Sequence, residues 1–420
     1  RRETMMRVGG AMAAFRSAAS VSISKAAAWK PVSTICRRQM SVSAKALTYS
    51  SRVKPGEELI MNVDESTLSK PSGSQSLVKF LVSSISPTDY AIMHAAEQSD
   101  APSPPTMTKK RFAQAHEVKP IRAIHHVFDK LPSLPAVGGL EGVAVVEEPG
   151  PNSKLKAGDW VIPLPGVGTW RTHALVDESQ VIPVRNDIQP EYAAVLGLGP
   201  ATGYRLFHDF VNLKEGDWIA LNYSDSMVGQ TVVQLAVNKG VKVIALLTPY
   251  QHIQMFSAHL KALGVDIVVN ENVINSWNMR EMLSNLPPVK LGLDCIGGDS
   301  GRKVARVVGK GGTFVSYGNV DASGFYASYK PFMIPTEKDL KIKQFLLSDW
   351  LAKSSQDEKK KMIDELAAMV KDSNLHLLIE RKPFESHRLA LRLGWEMMRD
   401  RRLVMNHGPV VSTGEYFPPK

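Results

Sequence analysis

The stretch from Trp218 to Leu247 constrains the fold more than any other part of this 420-residue chain. It opens with the apolar run Trp218-Ile-Ala-Leu-Asn222 and passes through Ser224-Asp-Ser-Met-Val-Gly229. Apolar residues then recur at helical spacing over 231–239, and the stretch closes on Lys242-Val-Ile-Ala-Leu-Leu247. A short, uninterrupted apolar run bounded by turn formers reads as a strand buried on both faces. A helix between two such runs is a βαβ crossover, which makes its strands parallel. Further strands are expected at Ile267-Val-Val269, Leu291-Gly-Leu-Asp294 and Gly312-Thr-Phe-Val-Ser-Tyr317, each close to a helical segment. Such alternation builds a parallel sheet wound with helices on both faces.

The chain ahead of this unit has a different habit. Residues 59–86, Val143-Ala-Val-Val146 and Trp160-Val-Ile162 alternate or cluster apolar residues between Gly, Pro, Asn and Asp. That pattern predicts short antiparallel strands and a small, partly open β-barrel. Residues 101–120 are rich in Pro, Thr and Lys and read as a surface insertion without a core of its own. Helices are expected over 192–210. Another is expected over 354–374, where Met362, Ile363, Leu366, Met369 and Val370 fall on one face among Lys, Asp and Glu.

Composition excludes several classes. No window approaches the roughly 18 apolar residues of a membrane-spanning helix. Of the net charge of +10, residues 1–40 carry +7 and the remainder only +3. A balance that small gives no specific nucleic-acid signal. The first 40 residues hold one acidic residue among recurring Arg, Lys, Ala and Ser, which predicts a mitochondrial transit peptide and a mature chain starting near Ser41. Of two cysteines, Cys36 falls in that segment, so the mature chain has no disulfide framework, in keeping with a reducing matrix. The eleven histidines include no dependable metal-ligand spacing, and no metal is expected.

Three motifs carry a family resemblance: Leu134-Pro-Ala-Val-Gly-Gly-Leu-Glu-Gly142, Gly166-Val-Gly-Thr-Trp-Arg-Thr-His173 and Leu198-Gly-Pro-Ala-Thr-Gly-Tyr-Arg-Leu206. Taken with the βαβ unit behind them, they resemble the mitochondrial trans-2-enoyl-thioester reductases, a zinc-free branch of the medium-chain dehydrogenase/reductase family. Leu140 stands where zinc-dependent relatives carry a metal-binding histidine. The resemblance implies an α/β protein with a GroES-like, partly open β-barrel domain and a Rossmann doubly wound parallel-sheet domain. The expected division is 1–40 transit peptide, 41–199 with 331–420 the discontinuous GroES-like domain carrying an insertion near 95–125, and 200–330 the Rossmann domain. It further implies NADPH as cofactor, acyl-carrier-protein or CoA thioesters as substrates, a homodimer and a place in the mitochondrial matrix. Asn222, Ser224, Ser226, Val228, Gly229, Gln230, Thr248, Tyr317, Gly318, Phe345 and Leu347 are the implied cofactor residues, and Trp170 and Thr202 the implied acyl-pocket residues.

Five positions depart from the family pattern. Phe128 stands where the family has the tyrosine that protonates C2, and a phenyl ring has no proton to give. Tyr90, His125 and His126 are nearby groups that could take its place. Met227 replaces a small residue, often Gly, where its side chain would crowd the phosphates or resist a positive φ. Thr248-Pro-Tyr-Gln251 offers no charge for a 2′-phosphate where the family has an arginine soon after the strand. Gly199 and Ser86 each replace an asparagine. Three readings stay open from the residues: an enoyl-thioester reductase of fatty-acid synthesis, a catalytically impaired relative serving as a structural subunit of a mitochondrial assembly, and a quinone- or enone-type oxidoreductase.

Overall fold

The structure, a computed structural model, describes residues 41–53, 60–94, 115–118, 132–247, 253–318, 332–396 and 401–408. The expected transit segment, Phe128, His125, His126 and Thr248 lie outside the described residues.

Six strands form one parallel sheet in the order Ile267–Asn270, Lys242–Leu247, Trp218–Asn222, Val289–Asp294, Val308–Ser316, Lys341–Gln344. All five pairings are parallel. The chain leaves Trp218–Asn222 in one direction and returns on its other side with Val289–Asp294, so these neighbours straddle the point where the winding reverses. Ile219, Ala220, Leu221 and Asn222 are wholly buried, as a strand covered on both faces requires. The helix Met227–Asn238 follows the first strand, and Gly298–Val307 packs back on the same strand.

Two observations alter the expected outline. The sixth strand extends the parallel sheet past residue 330. Its sequence, Lys-Ile-Lys-Gln, is mostly exposed at the sheet edge and lacks the apolar run that marks the inner strands. Ala115–Val118, inside the expected insertion, pairs antiparallel with Phe332–Pro335, so part of that segment is ordered by a partner far away in sequence.

The barrel is built from a sheet in the order Ile379–Pro383, Arg402–Asn406, Gln75–Ile85, Gly142–Pro149, Trp160–Pro163, Val181–Val184, with His173–Asp177 also pairing to Gln75–Ile85. Asn62–Leu68, Val42–Tyr49 and Ala136–Val137 add a smaller antiparallel sheet. Val78, Phe80, Ala144, Val161, Val176 and Val181 fill the barrel interior. The C-terminal return is held by the helix Gln356–Lys371, capped by Ser355 and Glu358 in a reciprocal box. It buries Met362, Ile363, Leu366 and Ala367 against the strand Val181–Val184 and the helix Gly199–His208. One apolar core therefore runs from Val143 and Ile182 through Leu206 and Leu366 to Val243 and Leu291, joining the barrel and the parallel sheet.

Leu366 is fully buried at the junction. Leu366→Ala is expected to destabilise the chain by about 2–5 kcal/mol in chemical denaturation. Lys360→Ala, which removes only an exposed pair with Asp364, is expected to leave the midpoint nearly unchanged.

Candidate active site

The crevice above the carboxyl ends of the parallel strands is organised by Asn222. Its Nδ2 donates to Asp294 Oδ1 at 2.7 Å and to Ser300 Oγ at 2.9 Å, while its Oδ1 accepts from the Cys295 N–H at 2.8 Å. Asp294 Oδ1 also accepts from the N–H groups of Ile296 and Gly297. Burial raises the Asp294 carboxyl to about 6 against these donors. Asn222 thus ties the two strand ends at the reversal point, and its side chain is spent within the protein. Gln230 is held in a similar way, donating to the Asp225 carbonyl at 2.6 Å and meeting His259 Nε2 at 3.1 Å.

The turn between strand and helix is tight. Ser226 caps the helix, accepting from the Gly229 N–H at 3.1 Å and donating to the Tyr223 carbonyl at 2.8 Å. A Cβ on Gly229 would lie 2.5 Å from Ser224 Cα, so no larger residue fits there. The positive φ of this turn falls on Tyr223, at 51°, and not on Met227. Met227 is instead the first helical residue, and its buried side chain lies over Gly199, where a Cβ would come within 2.6 Å of Met227 Cγ. The expected strain at 227 is therefore absent, because the glycine at 199 has vacated the volume that the methionine fills. Val228 is half-buried on the first helical turn. In that turn the leading N–H groups have no intrahelical acceptor, which suits a phosphate.

Three buried oxygens at these strand ends have no hydrogen-bond partner among the described residues: Ser224 Oγ, Asp294 Oδ2 and Ser316 Oγ. Orphaned polar groups beside a helix N-terminus fit a polar ligand laid across the strand ends. Beside them Tyr317 and Cys295 hydrogen-bond through their side chains, and burial pushes both acidic groups up. A Cβ on Gly318 would meet the Cys295 carbonyl at 2.8 Å. Phe345 packs edge-on against Phe210, and Leu347, also buried in the core, begins the helix Leu347–Lys353. Thr202 is half-buried on the helix Gly199–His208.

A cavity of about 340 Å³ opens on the barrel side, lined by Tyr49, Asp89, Met93, Gly139, Leu140 and Val167 among others. Its floor is Trp170, fully buried beneath Gly138 and Gly139, with its indole N–H donating to the Ser84 carbonyl at 2.9 Å. The ring therefore stands behind these two glycines and supports the wall they form. Tyr90 donates its hydroxyl to the Leu391 carbonyl and packs with Ile85 and Met93, so its proton is engaged within the protein.

Asp89, Tyr49 and Glu141 were not among the expected site residues. Asp89 Oδ2 accepts from the Ser86 N–H at 2.7 Å and the Ser86 hydroxyl at 2.6 Å, in a capping box that the spacing Ser86-Pro-Thr-Asp89 signals in sequence. Glu141 accepts from the Ser84 hydroxyl and the Leu198 N–H, both at 2.9 Å, and lies 3.6 Å from the buried Arg402 guanidinium. Burial raises the Glu141 carboxyl, with Arg402 opposing. Glu141 holds the floor of the barrel to the start of the helix that carries Gly199.

No family model matches the chain. A mitochondrial enoyl-(acyl-carrier-protein) reductase from Homo sapiens is 39% identical over 257 residues, covering 61% of this chain and 68% of the relative. One from Xenopus tropicalis is 30% identical over 357 residues, covering 83% and 90%. Among solved structures, the Etr1p/NADP/crotonyl-CoA complex superposes with a TM-score of 0.68 at 22% identity, over 87% of this chain and all of that one. A quinone oxidoreductase from Pseudomonas syringae gives 0.65 at 20% identity, over 86% and 99%. The two sheets and their order are those of a GroES-like barrel joined to a Rossmann sheet. Within that class, the chain belongs to the mitochondrial enoyl-(acyl-carrier-protein) reductase family.

The contact between positions 199 and 227 is open to a double-mutant cycle. Gly199→Asn alone is expected to destabilise by about 1–3 kcal/mol through overpacking. Combined with Met227→Gly it is expected to cost less than the two single changes added, with a coupling of about 0.5–3 kcal/mol in denaturant melts.

Proposed function

We propose that the chain reduces 2-enoyl thioesters with NADPH in mitochondrial fatty-acid synthesis, taking acyl-carrier-protein or CoA substrates in the matrix. The observation that carries this reading is the presence of a glycine-tight turn at a helix N-terminus, with orphaned oxygens around it, and a barrel-side cavity in one chain whose relatives are mitochondrial enoyl reductases. When bound, the dinucleotide supplies the hydride that adds to C3.

The chain's own part is positioning. Ser226 and Gly229 shape the turn so that the first N–H groups of the helix, including that of Val228, face the pyrophosphate. Asn222 and Gln230 keep the strand ends and the turn in register from beneath. Ser224 Oγ is free to donate to the same ligand. Tyr317, Gly318, Phe345, Leu347 and Thr202 border the nicotinamide, and Thr248 borders the ribose. Leu140, Val167 and Met93 give the acyl chain an apolar wall. Two copies of the chain assemble into a homodimer, and residues 1–40 direct it to the mitochondrion. In this division the Rossmann domain runs from 200 to the end of its sixth strand.

Calorimetric titration of the chain with NADPH and NADH tests the reading. Micromolar NADPH binding is expected, with a narrowed preference over NADH because no charge at 248–251 meets the 2′-phosphate. Crotonyl-CoA is then expected to drive NADPH oxidation. No binding of either nucleotide would sink hydride transfer as the activity.

A further inference from the structure

Reduction at C3 leaves an enolate that must gain a proton at C2, and Phe128 cannot give one. Among the described groups, Asp89 is the carboxyl that lines the barrel-side cavity. It sits on the helix Pro87–Met93, and Ser86 holds only one of its oxygens. The other, Oδ1, is buried and has no partner among the described residues. A carboxyl fixed at one oxygen and unspent at the other is built to keep a proton beside a ligand. Most buried carboxylates instead use both oxygens on donors, as Glu141 does here.

We propose that Asp89 is the proton donor of this chain, giving the proton on Oδ1 to C2 of the enolate. This rests on the reductase reading. The O–H bond of the carboxylic acid breaks as the C2–H bond forms, the reductant being the reduced nicotinamide. The carboxylate is then reprotonated from water, so one hydride and one solvent proton enter each product molecule. Tyr49, whose ring lines the same cavity, borders the carboxyl from the strand Val42–Tyr49. Glu141 and Arg402 are the charged groups that act on it from neighbouring strands and loops, the first raising and the second lowering its proton affinity. Burial outweighs both and sets the carboxyl at about 7, where it is half protonated near neutral pH.

Asp89→Asn is close to isosteric: its amide oxygen can take the place of Oδ2 under Ser86, so the helix cap is kept. In the chain with NADPH and crotonyl-CoA, the substitution is expected to lower kcat by about 10²-fold or more, the usual scale for a lost general acid. NADPH affinity, read separately by calorimetry, is expected to hold. An acid must be protonated to act, so wild-type kcat is expected to fall as pH rises through about 7, and that limb should vanish in Asp89→Asn. Adding Phe128→Tyr to Asp89→Asn is expected to restore turnover.

A readout free of turnover is the melting temperature against pH. A carboxyl raised by folding stabilises only while protonated, so wild type loses stability from about pH 4 towards 7 and Asp89→Asn should lose less. Full kcat with an unchanged alkaline limb in Asp89→Asn would overturn the proposal while leaving the reductase reading intact. A wild-type chain that binds NADPH but never oxidises it with crotonyl-CoA would overturn both.

Discussion

The hydrogen bonds of one buried amide organise the nucleotide side of this molecule. Asn222 sits at the end of the first parallel strand, and the fourth strand in sheet order ends beside it at Asp294. Parallel strands on either side of a winding reversal have no connecting loop to hold their ends together. The amide supplies that link, donating to one carboxylate and one hydroxyl and accepting from one backbone N–H. Ser300 passes the connection on to Glu271, at the end of another strand, and Glu271 is close to Lys303. Most of the polar groups buried at these strand ends are thereby satisfied by one another, where unpaired they would draw in water.

The barrel uses a different device for the same purpose. Trp170 gives its wall a rigid base because two successive glycines lie flat on the indole, where any side chain would strike the ring. Its N–H reaches across to Ser84, and the neighbouring Thr169 hydroxyl donates to the Glu141 carbonyl at 2.7 Å. Glu141 then reaches the backbone of Leu198. The cavity wall and the helix that starts at Gly199 are consequently linked through hydrogen bonds as well as apolar packing. Coupling between the barrel cavity and the ends of the parallel strands needs such a physical chain of contacts.

Much of this was legible in the residues. The strand Trp218–Asn222 was readable to the residue, since a run buried on both faces leaves no alternation to blur its ends. The amphipathic stretch over 354–374 emerged as the helix Gln356–Lys371 for the same reason of clean periodicity. The edge strand Lys341–Gln344 was not legible, because an exposed edge carries no apolar signature. Side-chain roles were less accessible than backbone roles. Trp170 belongs to a motif and Tyr90 was a nearby candidate, yet which way a ring turns depends on contacts made with residues far away in sequence. Asp89 was hidden by its own capping box, which is a sufficient local reason for an acidic residue at that place.

The pairing of Gly199 with Met227 also bears on how such a chain arises from relatives carrying asparagine and glycine at these two places. Asparagine and methionine would claim one volume, so a lineage holding both at once would pass through an overpacked protein. The open route runs through a chain with glycine at both positions, where the space is empty and either larger residue can later be accepted. The methionine at the start of the helix fills the space that the glycine leaves on the neighbouring helix.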